Sequence, residues 1–252
     1  MSTAVSRLVD LLREAERVLV FTGAGISTGS KIPDFRGPDG VWRTRVPVEL
    51  PAFVRSHAAR IEYWSWKLES YPAFRDARPN AAHHALVTLE RRGRLEAVVT
   101  QNVDGLHRAA GTSAERLVEL HGTNAEAVCM ACGLREPIAR CMDEFARTNE
   151  PPRCAGCDGF MKPAVVMFGQ MLEDADLRRA NEAARRADLV LALGSSLVVT
   201  PAADIPLVAA RRKVPYVIVN RGATPHDVLA TLTIDDDLSV IVPAAVEAAF
   251  GD

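Results

Sequence analysis

At 252 residues the chain is long enough to bury a large core, as one domain or as one domain carrying a smaller insertion. It is 48% apolar and 25% charged, the balance of a soluble globular protein, and a formal net charge of -2 argues against a nucleic-acid-binding face or a polybasic membrane anchor. Its most membrane-like run, 189–210, contains Gly194, Pro201, Asp204 and Pro206, and its start is no signal peptide, so a cytoplasmic protein that does not engage a membrane is expected.

Val5, Leu8, Val9 and Leu12, interleaved with Arg7, Asp10, Arg13 and Glu14, predict an amphipathic first helix. Val18 to Phe21 then reads as a buried strand, and Gly23, Ala24 and Gly25 follow as a phosphate-sized turn. A helix opening at Ile26 would aim its free N–H groups at the same place. Asp34, Phe35 and Arg36 put a carboxylate, a ring and a guanidinium on a loop broken by Pro33, Gly37, Pro38 and Gly40, a sequence no core requires. A hydride-transfer enzyme would show a second strand ending in an acid about twenty residues after the glycines. That region carries Pro47 and Pro51, so a nucleotide site is favoured and a dehydrogenase is not.

Residues Ala52 to Phe74 are helical in character and aromatic, with Phe53, Tyr63, Trp64, Trp66 and Tyr71 suited to the core of a small helical subdomain. Ala81 to Glu90 predicts a helix with a cationic end, in which His83 and His84 read as surface or packing residues. Leu95 to Thr100 is a second strand, followed at once by Gln101, Asn102 and Asp104. Asn102 or Asp104 alone could be a helix cap, but three polar groups at the carboxyl end of a strand point to a ligand site. Leu117 to Leu120 is another apolar run, and His121 after it is a candidate general base.

Cys129-x-x-Cys132 and Cys154-x-x-Cys157, twenty-one residues apart, have the spacing of two knuckles converging on one tetrahedral zinc ion. With cysteine at all four positions no place is left for water, so the expected metal is structural. Cys141 reads as a small apolar residue. Beyond it, Val165 to Phe168, Leu189 to Leu193, Tyr216 to Val219 and Leu229 to Ile234 predict strands, with a charged helix over Asp174 to Ala187 and a closing helix after Asp235, Asp236 and Asp237. Gly194, Ser195 and Ser196, and then Asn220 and Arg221, follow two of these strands directly. Strands alternating with helices describe an α/β doubly wound parallel sheet, into which the Cys-rich segment is inserted.

Read together, TGAGIS at 22–27, IPDFRGPDGVW at 32–42, TQNVDGLH at 100–107, ELHG at 119–122, the cysteine pairs, KPAVVMFG at 162–169, LGSSL at 193–197 and VIVN at 217–220 resemble the sirtuins, NAD-dependent protein lysine deacylases. The resemblance spans nearly the whole chain. It implies a Rossmann-like NAD-binding domain over 1–42, 76–122 and 164–252, and a small domain built from a helical module at 43–75 and a zinc module at 123–163. It further implies that both substrates, NAD and an acyl-lysine protein or peptide, bind in the cleft between them. Gly23, Ala24, Gly25, Gly194, Ser195 and Ser196 would serve the phosphates and ribose; Asn220, Arg221 and Leu238 the adenosine end; Asp34, Phe35 and Arg36 the cofactor loop. Gln101 would contact the nicotinamide ribose, Asn102 and Asp104 the carboxamide, and His121 would be the base. Nicotinamide, free lysine and O-acetyl-ADP-ribose would be released. An alternative on the same fold is a mono-ADP-ribosyltransferase or an NAD glycohydrolase.

The chain departs from the family at Lys31, where glycine is usual, and at Ala164 and Gln170. Relatives that act on acidic acyl groups carry a Tyr-x-x-Arg pair in the helical module. Tyr63-Trp64-Ser65-Trp66 lacks the arginine, so a preference for acetyl or uncharged chains over succinyl is expected.

Overall fold

The computed structural model describes residues 2–34 and 40–251. In chain order its elements are α1 (Thr3–Glu14), β1 (Val18–Thr22), α2 (Leu50–Arg55), α3 (His57–Asp76), α4 (Ala81–Arg91), β2 (Leu95–Thr100), α5 (Leu106–Ala110), β3 (Leu117–Glu119), β4 (Gly122–Cys129) and β5 (Arg135–Pro137). There follow α6 (Ile138–Thr148), β6 (Met161–Val165), α7 (Asp174–Arg186), β7 (Leu189–Leu193), α8 (Asp204–Ala210), β8 (Tyr216–Val219), β9 (Leu232–Ile234) and α9 (Leu238–Phe250). Short 3-10 helices cover Ala24–Ser30, Val41–Arg43 and Asp227–Leu229.

Six strands pair in the order β3-β2-β1-β7-β8-β9, all parallel. Strand periodicity decides how each face is covered. Val18 and Val20 point into an apolar cluster with α1, α4 and α9, whereas Leu19 and Phe21 point into a second one with α7 and α8. Both faces of β1 are therefore dry, and all five of its residues are buried. Because the chain runs outward from β1 in one direction and then returns to β7 on its other side, the carboxyl ends of β1 and β7 flank the switch point of the sheet, the place where open α/β sheets bind ligands.

A second sheet, β5-β4-β6, is antiparallel. Its core joins Ala127, Cys129, Ile138, Met142, Phe145 and Met161 to Phe53, Tyr63 and Trp64 of α2 and α3, so the helical and Cys-rich segments share one apolar cluster. The fold is thus a doubly wound parallel sheet with a small domain of a helical and a cysteine-cluster module.

Four sequence expectations change. The strand expected over Val165 to Phe168 lies at Met161–Val165 and pairs with β4 in the small sheet, not in the parallel one. Its apolar run fits either sheet, and Pro163 is tolerated because β6 is an edge strand. The helix expected over Ala52 to Phe74 breaks at Ser56, which ends α2 and caps α3 by accepting from Ala59 N at 3.2 Å. The last strand shortens to Leu232–Ile234, and the turn after Gly23 is a 3-10 helix from Ala24 instead of a helix from Ile26.

Candidate active site

The first glycines act on protein before they act on any ligand. Gly23 N donates to Leu193 O at 3.1 Å and Gly25 N to Gly194 O at 2.8 Å, stitching the end of β1 to the end of β7. A Cβ on Gly23 would lie 2.7 Å from Gly194 O, and one on Gly25 2.7 Å from Gly194 Cα. Gly194 itself has φ +61, and a Cβ there would lie 2.5 Å from Ile26 N. Close backbone approach is what these positions require, and the surface so formed is the floor of a cleft of about 1350 Å³.

The cleft gathers the ends of five parallel strands. Gly23, Ala24, Gly25 and Asp34 reach it from β1, Gln101 and Asn102 from β2, His121 from β3, Gly194, Ser195 and Ser196 from β7, and Asn220 and Arg221 from β8, with Leu238 at the start of α9. Asp104 is not among the lining residues. Phe35 and Arg36 lie outside the described residues.

Hydrogen bonding fixes how the polar groups face. Asn102 Nδ2 donates to Gly23 O at 3.1 Å and to Ser27 Oγ at 3.2 Å, leaving Oδ1 as the acceptor of that amide. Ser27 Oγ donates to Asp104 Oδ2 at 2.7 Å, and Asp104 Oδ1 accepts from Leu106 N at 2.9 Å at the start of α5. Asp104 thus stands behind Asn102. Burial raises its pKa, opposed by the hydrogen bonds from Leu106 and Ser27. Gln101 Nε2 donates to Ser195 Oγ at 2.9 Å across the crevice. His121 Nδ1 lies 3.0 Å from Gln101 O. A carbonyl only accepts, so Nδ1 carries the proton and Nε2 the lone pair a base needs.

At the far end, Asn220 Nδ2 donates to the carbonyls of Arg221 and Gly222 at 3.1 and 3.0 Å, and Arg221 Nη2 pairs with Asp237 Oδ2 at 2.9 Å. Asp237 caps α9 by accepting from Ser239 N and Oγ, which, with help from Arg221, lowers its pKa. Residues 165–172 and, after β7, residues 194–196 and 199–201 also line the cleft.

The wall nearest α3 holds a residue the sequence reading passed over. Lys67 lines the cleft one helical turn after Tyr63, is 8% exposed, and donates from Nζ to Asn124 Oδ1 at 2.9 Å. Burial, with the Lys162 charge nearby, lowers its pKa to about 8. A search restricted to arginine misses this buried ammonium. The expected preference for uncharged acyl chains rests on the missing arginine of the Tyr63-Trp64-Ser65-Trp66 stretch, and Lys67 places a lysine one residue beyond it. Lys31 also lines the cleft, in a left-handed conformation (φ 66) that explains why glycine suits this position.

The four sulfurs of Cys129, Cys132, Cys154 and Cys157 all lie within 4.8 Å of one another, with 3.5 Å from Cys129 to Cys157 and 3.7 Å from Cys132 to Cys154. A tetrahedral zinc with bonds of ~2.3 Å separates its sulfurs by ~3.8 Å, so the donor set fits that ion. Ala131 N and Cys132 N both donate to Cys129 Sγ, as suits a thiolate. Gly159 packs directly against the cluster, where a Cβ would lie 2.8 Å from Cys129 Sγ. Cys141 is a buried residue of α6, its thiol donating to Glu136 Oε1, apart from the cluster.

A profile of the Sir2 family matches residues 23–201. An NAD-dependent protein deacetylase of Rhodopseudomonas palustris is 41% identical over 238 residues, which cover 94% of each chain. Among solved structures, a Sir2 protein with a deacetylated p53 peptide and acetyl ADP ribose superposes with a TM-score of 0.91 at 37% identity, over 99% of both chains. A Sir2 complex with p53 peptide and NAD+ gives 0.88 at 36% identity, over 98% of both.

Proposed function

The chain belongs to the Sir2 family, and from that premise we propose that it is an NAD-dependent protein lysine deacetylase, moving the acyl group from lysine to ADP-ribose with release of nicotinamide. The observation that carries the reading is the tautomer of His121, a cleft-lining residue whose Nδ1 is held by Gln101 O so that the lone pair lies on Nε2. NAD supplies the leaving pyridinium and the ADP-ribose acceptor. Around it the residues divide the labour by position. Asn102 and Gln101 orient the nicotinamide end, and Asn102 Oδ1 is available to accept from the carboxamide because its Nδ2 is committed elsewhere. Gly23, Ala24, Gly25, Ser195 and Ser196 line the phosphate end, and Asn220, Arg221 and Leu238 the adenosine end. His121 Nε2 accepts the proton of the acceptor hydroxyl, a step general bases typically accelerate by about 10² to 10⁴. Asp104 acts through Ser27 on Asn102.

The acyl-lysine peptide enters extended between segments 165–172 and 194–201, pairing its backbone with theirs. This mode yields affinity with little sequence selectivity. Cys129, Cys132, Cys154 and Cys157 hold one structural zinc, away from the chemistry. A reduced four-thiol site also suits a cytoplasmic protein.

Incubation with NAD and an acetylated peptide tests the reading. One deacetylated lysine per nicotinamide released is expected by mass spectrometry. Nicotinamide release with the acetyl group retained would favour the glycohydrolase or, with ADP-ribose on the peptide, the transferase.

A further inference from the structure

Beneath the cleft lies a buried polar chain that the roles above do not use. His107, on α5, is 2% exposed, and its Nε2 lies 2.9 Å from Thr22 Oγ1 at the end of β1. Thr22 Oγ1 donates to Thr100 Oγ1 at 2.7 Å, across the register pair that closes β1 against β2. Thr100 Oγ1 in turn accepts from Asn102 N at 3.0 Å. Since the Thr22 proton is committed to Thr100, Thr22 accepts from His107, which places the imidazole proton on Nε2.

The second imidazole settles the other side of the ring. His83 Nδ1 accepts from Asn80 N at 3.3 Å in the cap of α4, so His83 carries its proton on Nε2. The two rings lie 4.9 Å apart. His83 Nε2 and His107 Nδ1 have no hydrogen-bond partner among the described residues, the one a donor and the other an acceptor. Burial, reinforced by each ring's neighbouring histidine, lowers the pKa to about 4 for His83 and about 3 for His107, so both are neutral at ordinary pH.

Followed onward, the bonds close on themselves. Asn102 Nδ2 reaches Ser27, Ser27 reaches Asp104, Asp104 caps α5, and α5 carries His107 back to Thr22 and Thr100. We propose that His107 is a positioning residue for the proposed deacetylation, closing a ring of hydrogen bonds that holds Asn102 from both its backbone and its amide side for binding and release of nicotinamide. The proposal rests on the reading of the cleft given above. His107 is not one of the cleft-lining residues, and its hydrogen-bonded path to the Asn102 backbone runs through the Thr22 and Thr100 hydroxyls.

The test compares His107→Leu, which removes the donor, with His107→Gln, which returns an N–H close to the Nε2 position. Turnover, KM for NAD and for acetylated peptide, inhibition by added nicotinamide and melting temperature are measured on each. For His107→Leu we expect kcat to fall about tenfold and nicotinamide inhibition to weaken by about fivefold, with peptide KM within about twofold of wild type, since loosening one positioned group is felt at the reacting end alone. His107→Gln should recover most of both losses. If His107→Leu does not fold, Thr22→Val against Thr22→Ser asks the same question at the middle of the relay, with the same expected loss and recovery. Equal losses in the conservative and non-conservative variants, or losses in peptide KM without a change in nicotinamide inhibition, overturn the proposal alone. Wild-type protein that leaves acetylated peptide intact in the presence of NAD overturns the reading of the cleft, and this proposal with it.

Discussion

The six-stranded sheet is wrapped in apolar side chains on both faces, while the three-stranded sheet has one apolar cluster, shared with α2 and α3, and four sulfurs at its tip. The first is held by area removed from water, a consequence of its length and strand pattern. The second has the smaller core, to which the proposed zinc would add. His121 and Gly122 form the joint between them. His121 follows β3 of the large sheet, its side chain is held by Gln101 O, and its carbonyl accepts from Val166 N just after β6 of the small one. A base placed at such a joint is oriented by the large sheet and exposed to whatever disturbs the small one.

The comparison breaks hardest at the cysteines. A structural zinc contributes on the order of 10 kcal/mol to the folding of small metal modules. In Cys154→Ser we expect loss of bound zinc, measured by chelator titration, and loss of amide-exchange protection in β4, β5 and β6 while β1 and β7 keep theirs. Protection lost together in both sheets would mean that they are one cooperative unit. Next in size is His121→Ala, for which turnover should fall about 10³-fold with the melting temperature little changed, because the imidazole's role lies in chemistry and not in either core.

Gly122→Ala probes the joint directly. Gly122 has φ +76, and a Cβ there would lie 2.1 Å from Ala164 O on β6. Relief requires β4 and β6 to part, and we expect a loss of about 3 kcal/mol in denaturant unfolding together with reduced turnover as His121 follows. Stability lost without turnover would show that the base is held by the large sheet alone.

The smallest effect concerns Lys67, buried where α3 faces β4 through Asn124. Its folded pKa, about 8, lies below the ordinary 10.5, so the unfolded chain binds the extra proton between those values. Stability contributed through this group therefore rises as pH increases from about 8 to 10.5 and is lowest below about 8. The full shift corresponds to roughly 3 kcal/mol as an upper bound. Lys67→Met should remove that pH dependence, its stability relative to wild type being higher at pH 7 than at pH 10. A constant difference would mean the ammonium is solvated in place.

Much of the parallel sheet was legible because its signals are local. Val18–Phe21, Leu95–Thr100, Leu189–Leu193 and Tyr216–Val219 are short apolar runs that stop at small or polar residues, and each is a strand. The lining of the cleft was legible for the same reason, since Gln101, Asn102, His121, Ser195 and Asn220 lie within two residues of strand ends that converge. Lys67 was not, because a lysine within an aromatic helix looks like any solvated lysine until its neighbours are known. Nor was the partnership of Thr22, Thr100 and His107, drawn from separate elements.

The amino-acid order alone determined the alternation of strands and helices, the polar strand ends and the paired cysteines, all of which are set by interactions within a few residues. Tertiary structure decided that Met161–Val165 joins the small sheet, that Gly23, Gly25 and Gly194 serve backbone against backbone, and that Asp104 is linked to Asn102 through Ser27. Those outcomes depend on which distant segment arrives alongside, and an apolar run, a glycine or a carboxylate is compatible with more than one such neighbour.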